Sequence, residues 1–204
     1  MSFVEQKFNI PALKGISAKN IEEHLKLYAG YVKNTNSILE KMPEYRGYVE
    51  EDAFAPYVVS ELARRLSFEY NGMRNHEIYF ASLENGSSPI THASPLRRAI
   101  EKTFGSFDKW LAEFKTLAIT TRGIGWMTLW YDRKNKRILN SWMDEQHLGL
   151  LNDCAMILAL DMWEHSFVYD YQPSGKKQYV EDYFANLSWG VIENNFVNAT
   201  KGSS

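Results

Sequence analysis

The segment Leu-Asp-Met-Trp-Glu-His, residues 160–165, combines a carboxylate and an imidazole at a spacing that lets both serve one site. Asp161 follows a short apolar run, and His165 lies four residues later, so a helical turn would aim both side chains the same way. A carboxylate at the end of a buried strand is costly unless a cation or a hydrogen-bonding partner compensates it. A carboxylate with imidazoles and no thiolate suits Fe or Mn better than a structural zinc site. The alternative is a strand-end Asp161 that caps the following turn, with His165 at an interface.

Three further residues could extend this site from the N-terminal half of the chain. His24 and His76 each lie on the apolar face of a predicted helix, where a lone histidine is more often a hydrogen-bonded core residue than a ligand. Tyr31 lies seven residues after His24, two turns along the same stripe, so its hydroxyl could reach whatever His24 holds. The alternative for Tyr31 is packing alone.

The hydrophobic periodicity predicts two long amphipathic helices that would carry these residues as an antiparallel hairpin. The first begins after an N-cap at Ser17 and ends near Pro43, and the second follows a connector at 44–56. A cluster of helix breakers at 85–89 predicts a domain boundary. The predicted domains are an N-terminal helical hairpin at 1–89 and a C-terminal α/β domain at 90–204.

Beyond this boundary the pattern alternates between helical and strand periods. The predicted elements are helices at 95–104 and 106–121, a β-hairpin of strands at 125–131 and 137–143, a buried strand at 156–160, and one helix at 178–196. Residues 201–204 are typical of a disordered end. The predicted fold class is therefore α+β, with a long helical hairpin followed by an α/β domain.

The composition limits the classes of protein and of site that fit this chain. Among 204 residues, 45% are hydrophobic and 24% are charged, which excludes a disordered or fibrous protein. Five histidines and one cysteine leave few imidazoles and no thiolate cluster for a metal. A net charge of −2 argues against a nucleic-acid partner, and no apolar run long enough to span a membrane is present. The lone Cys154 and the lack of an apolar signal peptide favour a cytoplasmic protein.

The sequence resembles the iron/manganese superoxide dismutases in the type and order of the residues named above. The resemblance extends along nearly the whole chain. The most specific element is 161–165, which is similar to the family signature Asp-x-Trp-Glu-His. Further segments similar to family motifs are 16–24, 30–32, 75–76 and 123–126. The resemblance implies a fold with a three-stranded antiparallel sheet in the C-terminal domain. It also implies a metal site, with ligands His24, His76, Asp161 and His165, pocket walls Trp126 and Trp163, and a gateway residue Tyr31.

The family's activity would then be the conversion of superoxide, a small-molecule substrate, to dioxygen and hydrogen peroxide by redox cycling of one Mn or Fe ion. Relatives use a glutamine amide to hydrogen-bond the metal's solvent ligand and the gateway tyrosine, and their spacing places it at Gln146, with the adjacent His147 as the alternative. One iron branch instead supplies a glutamine where this chain has Gly72, so Gly72 with Gln146 resembles the manganese arrangement. Ala159 replaces the usual Gly of manganese enzymes and Thr of that iron branch, which leaves iron, or activity with both metals, open.

The resemblance also implies a homodimer in which Glu164 contacts His165 of the opposite subunit. In the family, a histidine in the first helix forms a hydrogen bond across the dimer interface. Its partner is a tyrosine that lies three residues after the last metal ligand. This chain has Leu27 or Tyr28 at the first position and Val168 at the second, so both partners are missing together.

Two other departures concern the substrate funnel and the first helix. Gln172 replaces a funnel arginine, and Lys26 or Arg64 are candidates to replace its charge. Tyr31 follows His24 by one residue fewer than in relatives, which predicts a first helix without a π-bulge.

Two other functions fit the same residues. One is a family member that keeps the fold but only holds a metal or has a structural role. The other is a mononuclear non-haem iron oxygenase, which also uses two histidines and a carboxylate but needs open coordination positions.

Overall fold

The computed structural model describes residues 2–201 of the chain. Six α-helices and one three-stranded sheet make up its regular structure within that range. The helices are α1 (Ala18–Arg46), α2 (Ala55–Ala81), α3 (Pro95–Phe104), α4 (Phe107–Thr120), α5 (Lys176–Asn186) and α6 (Trp189–Lys201). The strands are β1 (Gly125–Asp132), β2 (Arg137–Asp144) and β3 (Cys154–Asp161). The α+β class predicted from the sequence is confirmed, whereas the division at residue 89 stays a prediction.

Helix α1 begins as predicted but ends later than predicted. The Ser17 hydroxyl accepts a hydrogen bond from the Asn20 backbone N–H at 3.1 Å and so caps the first turn. The expected end near Pro43 was wrong, because the proline lies within the last turn of a helix that continues to Arg46. Pro43 removes one helical hydrogen bond, and it does so at an exposed end of the hairpin where water can bond the freed carbonyl. From Ala18 to Arg46 the helix is α-helical throughout, as the prediction without a π-bulge requires.

The sheet lies beside the open end of the helical hairpin, where α1 begins and α2 ends. Its strand order is β2-β1-β3, and both pairs are antiparallel. The register pairs Trp126 at the start of β1 with Asp161 at the end of β3. A register shift between Leu129 and Trp130 lets β3 accommodate one extra residue. The result is a buried central strand whose first residues lie beside the predicted Asp161 site.

The single helix predicted at 178–196 was wrong, since the chain forms two helices there. Leu187 has an extended backbone, and Ser188 donates its backbone N–H to the carbonyl of Ser82 at 2.8 Å. The carbonyl of Leu187 accepts in turn from the backbone N–H of Ser88 at 3.1 Å. These tertiary bonds replace the helical bonds at the break. The predicted disordered end at 202–204 lies outside the described residues, and Lys201 still belongs to α6.

The segment before α1 is an extended strap that ties the two halves of the chain together. Phe3 exchanges two hydrogen bonds with the Asn36 side chain of α1. Near the other end of the strap, Lys14 exchanges two hydrogen bonds with the Asn186 side chain at the end of α5. None of the helices between residues 2 and 201 has the length and apolarity that a membrane span requires.

Candidate metal centre

Four side chains from different elements converge at the end of β3. His24 comes from α1, His76 from α2, and His165 from a short 3₁₀ turn, Glu164–Ser166, that follows Asp161. The Nε2 atoms of His24 and His165 each lie 3.1 Å from Asp161 Oδ2. His76 Nε2 lies 3.6 Å from the same oxygen. The candidate ligand atoms of all four residues lie within 4.8 Å of one another, which is the geometry of a shared ion.

The hydrogen bonds of His76 indicate which kind of group the cluster fits. Its Nδ1 lies 2.6 Å from the carbonyl oxygen of Gly72, an acceptor, so Nδ1 carries the proton. Nε2 therefore points a lone pair toward Asp161, and this buried atom has no hydrogen-bond partner among the described residues. A lone pair and a carboxylate oxygen in a buried site repel unless a cation lies between them. The residues thus fit a metal ion held by three imidazole nitrogens and one carboxylate.

The protonation states agree with that reading. Burial lowers the pKa of His76 to about 3 and also lowers the pKa of His24, so both rings are neutral at physiological pH. Burial alone would raise the pKa of the Asp161 carboxyl, but His165 and His24 hold it well below its usual range. Imidazoles that bind an ion through nitrogen lone pairs carry no charge, so a single carboxylate would leave a divalent or trivalent ion with a net positive charge, which attracts an anionic substrate.

Aromatic rings close the cluster on several sides. The ring of Trp126 lies 5.0 Å from that of His76, and the ring of Trp163 stacks on His165 at 5.6 Å, as expected for walls of the pocket. Tyr79 and Phe80 also contact His24, at 5.0 and 4.9 Å. Neither residue was among those predicted from the sequence for the site. Their spacing of three and four residues after His76 was the available signal.

Gln146 links the pocket wall to Tyr31. The Trp126 indole N–H donates to Gln146 Oε1 at 3.0 Å, and Gln146 Nε2 donates to the Tyr31 hydroxyl at 3.0 Å. Because an indole nitrogen can only donate, the amide orientation is fixed with its NH₂ toward Tyr31. Asn75, adjacent to His76, donates to the backbone carbonyl of Gln146 at 3.0 Å. The hydroxyl of Tyr31 thus accepts from Gln146 and keeps its own proton available to donate.

His147 lies apart from this network. Its ring contacts Phe68 at 5.7 Å, and its Nδ1 lies 3.9 Å from a carboxylate oxygen of Glu145, too far for a hydrogen bond. The structure therefore brings Gln146, and not its neighbour, to the hydroxyl of Tyr31.

Gly72 and Ala159 occupy positions where a larger side chain would change the pocket. A Cβ atom at Gly72 would lie 2.5 Å from the ring of Tyr31. Ala159 is fully buried on β3, on the same face as Asp161 two residues later, and its carbonyl accepts from the Tyr183 hydroxyl at 3.0 Å. Gly72 therefore leaves the space that the ring of Tyr31 uses.

Glu164 is exposed and borders a surface pocket of about 510 Å³ beside His165. Other residues around this pocket include Asn20, Leu27, Val168 and Tyr169. Phe167 is 4% exposed within the chain and stacks on Tyr179 at 5.4 Å, so it is buried without a partner subunit. Of the two α1 residues considered for the missing histidine position, Tyr28 is buried and Leu27 borders the pocket.

The cations considered as substitutes for the funnel arginine are both paired. Lys26 contacts Glu22 at 2.7 Å and Glu23 at 2.9 Å. Arg64 forms a bidentate ion pair with the carboxylate of Glu61. Gln172 itself is exposed at the start of a short 3₁₀ turn. Since carboxylates offset the positive charge of both cations, neither is an unpaired attractor for an anion.

Comparisons with known proteins place these features in one family. The sequence profile described as iron/manganese superoxide dismutases, C-terminal domain, matches residues 92–195. A "Superoxide dismutase [Mn]" of Mycobacterium leprae is 32% identical over 87% of this chain and 82% of its own length. One of Mycolicibacterium smegmatis is 33% identical over 89% and 84%. A "Superoxide dismutase [Fe]" of Cupriavidus metallidurans is 34% identical over 93% and 92%. With such coverage, and with three histidines gathered on Asp161, this chain belongs to the iron/manganese superoxide dismutase family.

Proposed function

We propose that this protein is a superoxide dismutase that converts superoxide to dioxygen and hydrogen peroxide at a single Mn or Fe ion, with manganese as the preferred metal. The observation that carries this proposal is the approach of His24, His76 and His165 to one oxygen of Asp161. These four residues would hold the ion, and a bound ion that alternates between two oxidation states supplies the electron exchange with superoxide.

Tyr31 and Gln146 would control the protons that the reaction needs. Burial raises the pKa of the Tyr31 phenol, and the carboxylate of Asp161 adds to this, so the hydroxyl remains protonated. Gln146 donates to that hydroxyl, while Trp126 holds the other end of the amide. Tyr31 is therefore oriented to donate a proton toward the site, and Gln146 positions it.

The preference for manganese rests on two residues. Gln146 supplies the amide from the turn after β2, and Gly72 leaves no side chain that could supply one from α2. The relatives named above include both manganese and iron proteins at similar identity, so the metal itself must be measured.

A homodimer is part of this proposal. Leu27, Val168 and Tyr169 are 43%, 38% and 60% exposed around one pocket, and a second copy would cover them. Glu164 borders the pocket too, so in a symmetric dimer it would face the opposite subunit's copy of His165.

We place the protein in the cytoplasm, because the lone Cys154 cannot form an internal disulfide and the proposed site uses no thiolate. Cell fractionation with an antibody to the protein tests this location. Recovery outside the cytoplasmic fraction would contradict it.

The central test combines metal analysis with activity. Protein from cells supplied with Mn or Fe should contain about one ion per chain, and superoxide dismutation is then measured for both forms. His76→Ala should abolish metal binding, whereas His92→Ala, at an exposed histidine outside the cluster, should not change it. Stoichiometric metal without dismutation would instead support a metal-holding protein. Metal and activity retained in His76→Ala would refute the site.

A further inference from the structure

A continuous row of tyrosine side chains leads from the metal centre toward the molecular surface. The ring of Tyr79 lies 5.0 Å from that of His24. The hydroxyl oxygens of Tyr179 and Tyr79 lie 3.2 Å apart, within hydrogen-bond distance, and the ring of Tyr179 lies 5.9 Å from that of Tyr171. The first two members are fully buried, and Tyr171 is 9% exposed. Tyr79, Tyr179 and Tyr171 are called the tyrosine row below.

The outer end of the row differs chemically from its inner members. The Tyr171 hydroxyl donates to the carboxylate of Asp182 at 2.9 Å, and Gln178 donates to the same oxygen at 3.0 Å. The Tyr179 hydroxyl, by contrast, points at a neutral hydroxyl and at the backbone carbonyl of Asp161, at 2.9 Å. A phenol that loses an electron becomes a strong acid, so it is oxidised most easily where a base can take its proton. Within the row, Tyr171 has such a base.

The backbone of the N-terminal strap crosses directly over this outer pair. Gly15 has a φ of +76°, and a Cβ atom there would lie 2.6 Å from the Tyr171 hydroxyl oxygen and would collide with the Asp182 carboxylate. The strap can approach so closely because it carries no side chain at this point. Tyr171 and Asp182 therefore lie just beneath the surface.

We propose that the tyrosine row carries oxidising equivalents away from the metal centre, so that a strong one-electron oxidant formed there oxidises Tyr171 instead of the ligands and walls of the site. The inference rests on the proposed function, because hydrogen peroxide is a product of that reaction. A reduced ion held by the four ligands would supply one electron to peroxide, and peroxide that takes up one electron splits into hydroxide and the hydroxyl radical, which is the oxidant in question.

Each step of this transfer conserves electrons and protons. The hydroxyl radical takes one electron from the row and becomes hydroxide. Tyr171 supplies that electron through Tyr179 and Tyr79, and its phenolic proton moves to Asp182, which leaves a neutral tyrosyl radical and a protonated carboxyl. A thiolate in solution then gives one electron to Tyr171 and becomes a thiyl radical, while Asp182 returns its proton to the phenol oxygen.

The test uses the full-length, iron-loaded protein and hydrogen peroxide. Samples frozen shortly after mixing are examined by electron paramagnetic resonance for a tyrosyl radical, and peptide mass spectrometry maps the oxidised residues. Tyr171→Phe preserves the ring packing and should lose most of the radical signal. Its oxidation should shift to Trp126 and Tyr79, and its activity should fall at several-fold lower peroxide doses. Tyr131→Phe, at a buried tyrosine of β1 outside the row, should behave like the wild type.

A second variant separates the row from simple packing. Asp182→Asn keeps the shape of the side chain but removes the base, so the radical at Tyr171 should diminish although the tyrosine remains. Equal radical yields and equal oxidation maps in wild type and Tyr171→Phe would overturn the proposal. Metal content and dismutation of the manganese-loaded and iron-loaded forms are measured before peroxide is added. A wild type that is inactive with both metals would therefore count against the proposed function, whereas an iron-loaded wild type without a radical at Tyr171 would count against the row alone.

Discussion

The ring of Tyr31 fills the space beside Gly72 that any side chain at position 72 would enter. A Cβ atom there would lie 2.5 Å from Cδ1 of the ring and 2.7 Å from Cε1. Tyr31 in turn accepts the hydrogen bond of Gln146 at 3.0 Å. Because Gly72 has no side chain, the ring of Tyr31 on α1 can lie where it accepts the hydrogen bond of Gln146 from the turn after β2.

Gly72→Ala should displace Tyr31 and lower both stability and dismutation. Forcing a methyl group into a packed site costs about 1–3 kcal/mol, which exceeds the gain of about 1 kcal/mol in helix propensity. Denaturant unfolding and activity of the metal-loaded protein measure the two effects. Gly30→Ala on α1 is the matched control, because nothing lies within 4 Å of its Cβ position and only the propensity gain applies. Equal stability and activity of the two variants would contradict the steric argument.

Gln146→Leu should reduce dismutation and shift the reduction potential of the bound ion, because it removes both side-chain bonds of the amide. It also leaves the buried Trp126 indole N–H unpaired, at a cost of about 1–3 kcal/mol in stability. His147→Gln should change rate and potential little, since this ring packs on Phe68 outside the network. Redox titration and dismutation assays of both variants measure this. A larger loss in His147→Gln would transfer the role to His147.

The sequence was sufficient for the α+β class, for helices α3 and α4, and for the set of residues that converge on Asp161. It could not decide between Gln146 and His147, because neighbouring residues in a turn point in different directions and no periodicity fixes which one faces inward. The break at Leu187 was missed for a different reason: tertiary bonds to Ser82 and Ser88 compete there with the helix, and these partners lie about a hundred residues away. For an aromatic residue such as Tyr79 the sequence pattern predicts only burial in the core, and its contact with His24 depends on the fold.

The metal-free protein should lose stability as the pH falls below neutral. The pKa of His76 is about 3 in the folded state and about 6.5 when unfolded, so between these values the unfolded chain binds a proton that the folded chain does not. This residue alone lowers the free energy of unfolding by about 1.4 kcal/mol per pH unit within that window. His24, whose pKa is also lowered, acts in the same direction. Urea unfolding of metal-free protein from pH 7 to pH 4 measures the slope. It should be shallower in His76→Gln, and equal slopes would contradict the assignment.

Val168→Asp should dissociate the proposed dimer, because it places a charge in the apolar surface around the pocket beside His165. A penalty of about 1.4 kcal/mol already raises the dissociation constant tenfold, and a buried unpaired carboxylate costs more than that. Val49→Asp is a matched control, since Val49 is 40% exposed and Val168 is 38% exposed, but Val49 lies beyond the end of α1, away from the pocket. Sedimentation velocity across a concentration series compares both variants with the wild type. A monomeric wild type would refute the dimer, and dissociation by Val49→Asp alone would move the subunit contact to the end of the hairpin.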